Sequence, residues 1–291
     1  MPGRRKSKNT VAFVLGGGGR LGAAEVGMLR ALFERDIVPH LIVGTSIGAM
    51  NGAAVAADPS IDAIDRLEEA WTTLDRNDVF SGSVLAGARN LVRTRTSLQP
   101  NLPVRRLIQK MLPVSTFEEL VIPFQCVAAS IERAAEHWFF EGSLVDAILA
   151  SSAVPGILPA VKIDGEHFID GGIVNSIPIG RAVELGAREI FVLHVGRIER
   201  PLTAPKNPWQ VGMVSFEVAR RHRFARDMAS LPEDVIAHVL PSGETDAPRY
   251  DSLGNLRYRN FKSVVRHIKV AHRATGEYLD DPKLVRPGAK K

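Results

Sequence analysis

Three glycine-framed segments hold the residues best suited to chemistry. Gly44-Thr45-Ser46-Ile47-Gly48 has the G-x-S-x-G spacing of a nucleophile elbow. In such a turn the serine hydroxyl is exposed at the top of a strand and the N-terminus of a helix, and the flanking glycines remove side chains that would collide. Asp170-Gly171-Gly172 follows the apolar pair Phe168-Ile169 and places a carboxylate at a strand end. Gly17-Gly18-Gly19-Arg20-Leu21-Gly22 joins a strand to a helix. A loop of this kind turns tightly and aims several N–H groups into one space, and the helix adds its positive dipole end. It suits an anion, either a phosphate or the transient oxyanion of acyl transfer.

A serine nucleophile needs a group to take its proton. Histidine is the usual one, but none of the eight histidines sits in a comparable glycine-framed loop. His194, on an apolar strand, reads as a core histidine. An aspartate does the same work if it lies against the serine, so Asp170 is the candidate, although Asp-Gly-Gly taken alone also suits a simple turn. Two other readings fit poorly. A dinucleotide fold calls for an acidic residue at the end of the second strand, where this chain has Val43-Gly44 running into Thr45-Ser46. A hydrolase with a Ser–His–Asp triad normally carries its elbow after several strands, and here it follows two.

The elements that must carry these residues alternate in period. Val11–Leu15 and Leu41–Val43 read as short buried strands. A helix from Gly22 to near Asp36 lies between them, and a small-residue helix runs from Ile47 to Ala57. Ser60 caps a further helix with Ile61, Ile64, Leu67 and Trp71 on one face. Strand, helix, strand, helix is the grammar of an α/β fold with a parallel sheet. Further on, 124–128, 137–140, 190–195 and 235–240 read as strands, and 144–151, 208–230 and 259–279 as helices. Residues 161–163 and 167–169 form a β pair turned by Asp164-Gly165. Residues 79–117 lack acidic side chains but carry Arg89, Arg93, Arg95, Arg105, Arg106 and Lys110. They read as two short helices around Pro100 and Pro103, either a solvated insert or a basic cap beside the site. The helix at 208–230 has two readings as well: a packed surface helix, or an interfacial one with arginines on its polar side.

Hydrophobic residues make up 45% and charged residues 24% of the 291, which excludes a disordered or fibrous chain. The net charge is +5. Four positive charges lie in residues 1–8 and four in 282–291, so the body between them carries −3. The basicity belongs to the ends and is no sign of a nucleic-acid partner. A single cysteine, Cys126, excludes an internal disulfide framework and suits a reducing compartment. No stretch has the form of a signal peptide or a spanning helix. The expectation is a single domain over 10–280 with a disordered basic tail at 1–9 and a basic tail at 281–291. A cytoplasmic location follows, with peripheral contact at the inner, anionic membrane face as a further expectation.

Together the motifs resemble those of the bacterial patatin-like phospholipases. Gly17–Gly22 resembles that family's oxyanion motif, Gly44–Gly48 its elbow and Asp170-Gly171-Gly172 its catalytic Asp-Gly-Gly/Ala, in the same order. Ala150-Ser-Ser-Ala-Val-Pro-Gly-Ile-Leu-Pro159 and Asn175-Ser-Ile-Pro178 match as well, and the likeness runs from about Val11 to Leu240. It implies a three-layer α/β/α fold with a mostly parallel sheet and a Ser46–Asp170 dyad without histidine. It further implies an oxyanion hole from Gly17, Gly18 and Gly19, supported by Gly22, Gly44, Gly48, Gly171 and Gly172. The activity implied is hydrolysis of lipid acyl esters without metal or cofactor. The same dyad would also serve a thioesterase or transacylase, or survive in an acyl-binding regulatory protein without turnover. Two positions depart from the pattern: Leu21 stands where the family carries a basic residue, and Glu25 where many members carry histidine.

Overall fold

The computed structural model describes residues 10–74, 97, 99–195, 201–243, 261–281 and 283. In chain order its strands are β1 (Val11–Leu15), β2 (Leu41–Thr45), β3 (Phe124–Ser130), β4 (Ala135–Phe139), β5 (Val161–Ile163), β6 (Glu166–Asp170), β7 (Glu189–Leu193) and β8 (Ile236–Val239). They form one sheet in the order β5-β6-β3-β2-β1-β7-β8, with β4 also paired to β3. The run β3-β2-β1-β7-β8 is parallel, whereas β4, β5 and β6 pair antiparallel at one end.

β2 and β7 are buried at every position, as a parallel sheet covered on both faces requires. Alternate residues serve two cores. Phe13, Leu15, Ile42, Phe191 and Leu193 face the larger one. There they meet α1 (Ala23–Phe33), α2 (Ile47–Ala57), α3 (Ile61–Leu74) and the C-terminal helix at Phe261–Leu279. Ala12, Val14, Leu41, Val43, Ile190 and Val192 face the smaller core, with Ile179, Ala182, Phe224 and Met228 packed on them. This is the three-layer α/β/α arrangement expected, built from the period-two alternation of fully buried strands.

The remaining helices are α4 (Leu102–Met111), α5 (Leu144–Ser151), α6 (Gly172–Asn175), α7 (Ile179–Glu184), α8 (Pro208–Ala229) and, at the C-terminus, α9 (Phe261–Leu279). Several boundaries differ from the sequence reading. α1 stops at Phe33, and Asp36 takes a positive φ of 53° in the turn that follows. Ile61 is 40% exposed while Ile64, Leu67 and Trp71 are buried, so the inward face of α3 starts a turn later. α8 packs on the surface of the sheet layer: its Phe224 and Met228, and Leu231 just past its end, lie against the smaller core. Arg220 and Arg221 each meet Glu217 at 2.8 Å, and Arg223 meets Asp227 at 3.0 Å. Burial works against ionisation of Glu217, but the two arginines overcome it and hold that carboxyl below its ordinary range. Of the basic stretch at 79–117, α4 is the part that forms a described helix. Its Arg105 pairs with Asp146 of α5. Residues 79–96 and 98, and most of both basic tails, lie outside the described residues.

One feature of the sheet positions the site. β3 has β4 along one edge, opposite residues 126–130. Its other edge is shared end to end: β2 pairs as far as Thr45 opposite Val127, and β6 takes over with Asp170 opposite Ala128. The last residue of β2 and the last residue of β6 therefore stand beside adjacent residues of β3. Ser46 is the next residue after Thr45.

Candidate active site

Ser46 forms the turn between β2 and α2. Its backbone sits at φ 55° and ψ −122°, and it caps α2, whose N-terminal dipole favours negative charge on the hydroxyl oxygen. The turn is tight enough that a Cβ at Gly48 would lie 2.4 Å from the carbonyl oxygen of Leu15, so only glycine fits there. Sequence reasoning put the hydroxyl on an exposed turn. In the structure Ser46 is 8% exposed, because the end of β6 closes over it.

The Ser46 hydroxyl donates to Asp170 Oδ2 at 2.8 Å. The other carboxylate oxygen, Oδ1, accepts from the Gly172 N–H at 2.7 Å, so the carboxyl plane is fixed from both sides. Burial pushes the Asp170 carboxyl up from 3.8 to about 6, against the lowering effect of the Gly172 N–H and the Ser46 hydroxyl. An aspartate with that value is a base at neutral pH and still accepts a proton readily. Gly171 sits directly on β3: a Cβ there would come within 2.1 Å of the Val127 carbonyl oxygen. No histidine is hydrogen-bonded to Ser46 or Asp170 among the described residues, and His194 is buried behind Gly16.

The glycine loop lies against the serine. A Cβ on Gly17 would stand 3.5 Å from that of Ser46. The Gly17 N–H, however, donates to the Ser176 carbonyl at 3.0 Å and is committed to holding the loop. Gly18 and Gly19 follow, and among the described residues no acceptor pairs with either N–H. Gly22 ends the loop in a 3-10 turn, and its carbonyl accepts from Asn51 Nδ2 at 3.0 Å.

Several supporting residues carried no role in the sequence reading. Ser151 Oγ accepts from the Ser46 N–H at 2.9 Å, and Thr45 Oγ1 donates to the Asn175 carbonyl at 2.9 Å. Both partners lie in stretches whose resemblance was legible, 150–159 and 175–178, but whose contacts depend on chain segments more than a hundred residues away. Beneath the glycine loop, Glu25 is fully buried. Its Oε2 accepts from Asn51 Nδ2 at 2.7 Å, and Trp71 Nε1 donates to Asn51 Oδ1 at 3.0 Å. Burial holds the Glu25 carboxyl well above its ordinary range, although Asn51 and the Gly16 backbone oppose this. Through Asn51 it ties α1 to the helix that Ser46 caps.

The arrangement suits one kind of chemistry: a serine activated by a desolvated carboxylate, at a helix N-terminus, against a glycine loop. No cluster of His, Cys, Asp and Glu suited to a metal occurs among the described residues. A family model described as patatin-like phospholipase matches residues 13–183. Patatin-like phospholipase domain-containing protein 6 of Mus musculus is 32% identical over 190 residues, which are 65% of this chain and 14% of that protein. Lysophospholipase nte1 of Aspergillus terreus is 32% identical over 301 residues, 96% of this chain and 19% of that one. The chain thus spans less than a fifth of the length of these curated relatives. Among solved structures, VipD from Legionella pneumophila aligns with a TM-score of 0.46 and 14% identity, over 94% of this chain and 67% of that one.

Proposed function

The chain belongs to the patatin-like phospholipase family, and from that premise we propose that it is a lipid acyl hydrolase working through Ser46 and Asp170. The observation that carries the reading is the 2.8 Å hydrogen bond between Ser46 Oγ and the buried Asp170 carboxylate. Asp170 Oδ2 takes the hydroxyl proton as Oγ attacks the ester carbonyl. The carbonyl oxygen becomes an oxyanion, which the Gly18 and Gly19 amides receive; one such donor is worth about 10²–10³ in rate. The tetrahedral intermediate collapses, the alcohol leaves with the proton from Asp170, and the acyl group stays on Ser46. Water then gives a proton to Asp170 and attacks the acyl-enzyme. Collapse returns the proton to Ser46 and releases the fatty acid.

Lysophospholipids head the candidate substrates, supported by the likeness along most of this chain to a protein whose name is lysophospholipase. Ser46→Ala should abolish release of fatty acid from lysophospholipid and labelling by a fluorophosphonate probe, while circular dichroism stays that of the wild type. Turnover retained in that variant would remove Ser46 as the nucleophile. Parallel assays on diacyl phospholipids, neutral glycerides and acyl-thioesters rank the substrate classes.

Peripheral contact with anionic lipid is part of the proposal. No helix among the described residues is long and apolar enough to cross a membrane. The basic stretches at 1–8 and 282–291 support surface contact, each Lys or Arg near such a surface adding about 1 kcal/mol. The arginines of α8 are engaged in ion pairs and add little. Co-sedimentation should occur with anionic vesicles at low salt and disappear at high salt. Equal binding to neutral vesicles would remove the electrostatic argument.

A further inference from the structure

Resting on the hydrolase reading above, we infer that Ser151 is a positioning residue that holds nucleophile and base in register. Ser151 closes α5 and is wholly buried. Its Oγ accepts a hydrogen bond from the Ser46 N–H at 2.9 Å. Its carbonyl accepts from the Gly171 N–H at 3.2 Å, and two residues on the Ala153 carbonyl accepts from the Asp170 N–H at 3.0 Å. One short segment thus grips the backbone of both halves of the dyad, the nucleophile through a side chain and the base through two main-chain bonds.

The side-chain bond falls where the backbone most needs it. Ser46 has a positive φ of 55°, a conformation that a residue with a side chain keeps only where its surroundings over-determine it. Its N–H is at the start of α2, where no helical acceptor exists. The site is buried, so an acceptor must come from the protein, and Ser151 Oγ supplies it. Commitment to Ser151 also removes the Ser46 N–H from the oxyanion donors. The hydroxyl of the neighbouring Ser152 has no hydrogen-bond partner among the described residues, which makes it the natural control.

The test compares the full chain with Ser151→Ala, Ser151→Cys, Ser151→Thr and Ser152→Ala. Fluorophosphonate labelling gives the rate constant and, from total incorporation, the active fraction. Hydrolysis of a lysophospholipid gives kcat, KM and the pH profile. Ser151→Ala should lower the labelling rate constant and kcat by about 10- to 100-fold through misplacement of the nucleophile. KM should hold, and the acid limb of the pH profile should move upward, since the Ser46 hydroxyl no longer steadies the Asp170 carboxylate. Ser151→Cys, close in size but a weaker acceptor, should fall between. Ser151→Thr keeps the oxygen and should recover most of the rate, and Ser152→Ala should behave as wild type. A lower active fraction with an unchanged rate constant and pH limb, in Ser151→Ala or Ser151→Cys, would make the role merely structural and overturn the inference. Wild-type protein that takes no label at all would overturn the hydrolase reading itself, a result distinct from labelled wild type with an unaffected Ser151→Ala.

Discussion

Asp170→Asn should destroy activity and at the same time stabilise the fold, in a manner that depends on pH. In the unfolded chain the carboxyl ionises near its ordinary value of 3.8, whereas burial raises it to about 6 in the folded protein. Between these values the native state binds a proton that the unfolded state has lost, so stability falls as pH rises. The penalty is complete above about pH 6. The gap of 3.8 to about 6, at 1.36 kcal/mol per pH unit, comes to about 3 kcal/mol. Asparagine has the same shape and no charge to desolvate. Its Oδ1 can keep the Gly172 N–H, and its amide can donate to the Ser46 hydroxyl, so both hydrogen bonds have partners. Any fixed cost of the exchange applies equally at every pH. The difference between variant and wild type should therefore grow by about 3 kcal/mol from pH 3.5 to pH 7.5. Urea unfolding of both proteins across that range measures it. A difference that stays flat with pH would show that Asp170 ionises in the folded protein as it does in water, and the account of the site as a desolvated carboxylate would fail. Active sites that hold a charged group against burial trade stability for function in this way.

The same carboxyl sets the rate profile. kcat/KM should rise with pH through a midpoint of about 6, so that at pH 4 it lies about 100-fold below its plateau; a profile flat to pH 4 would exclude Asp170 as the proton acceptor. Glu25→Gln should keep wild-type activity and lie within about 1 kcal/mol of wild-type stability at pH 7, because burial favours the uncharged form of this carboxyl and the amide keeps an oxygen that can still accept from Asn51. Glu25→Ala should be clearly less stable, and if Gln proved as damaging as Ala, the argument that burial favours the uncharged carboxyl would fail.

Much of this protein is local in origin and so is legible in the chain. The apolar runs at Val11–Leu15 and Leu41–Val43 specify strands buried on both faces, and the change of period after each specifies the crossover helices of a parallel sheet. The elbow is local too: a strand, a serine and two glycines within five residues need no distant partner to declare themselves. Asp170 was visible as a strand-end carboxylate, and Gly18 and Gly19 as members of a loop that aims its amides at one point. What the sequence could not supply were relations between segments far apart in the chain. The Ser46–Asp170 distance comes from β2 and β6 meeting end to end along one edge of β3, a register set by three strands at once. That junction also buries a serine that a lone elbow would leave exposed, and the burial raises its aspartate. The use of the Gly17 amide depends on Ser176, and the hold on the Ser46 amide on Ser151. Likewise α8 presents arginines and apolar residues that suit either a membrane or a core, and only the structure shows that Phe224 and Met228 pack on the second core and that the arginines pair with acidic neighbours. Local sequence fixes which groups can act. Their burial, partners and protonation arise only when remote segments close on one another, because desolvation and hydrogen bonding depend on everything that excludes water from the site.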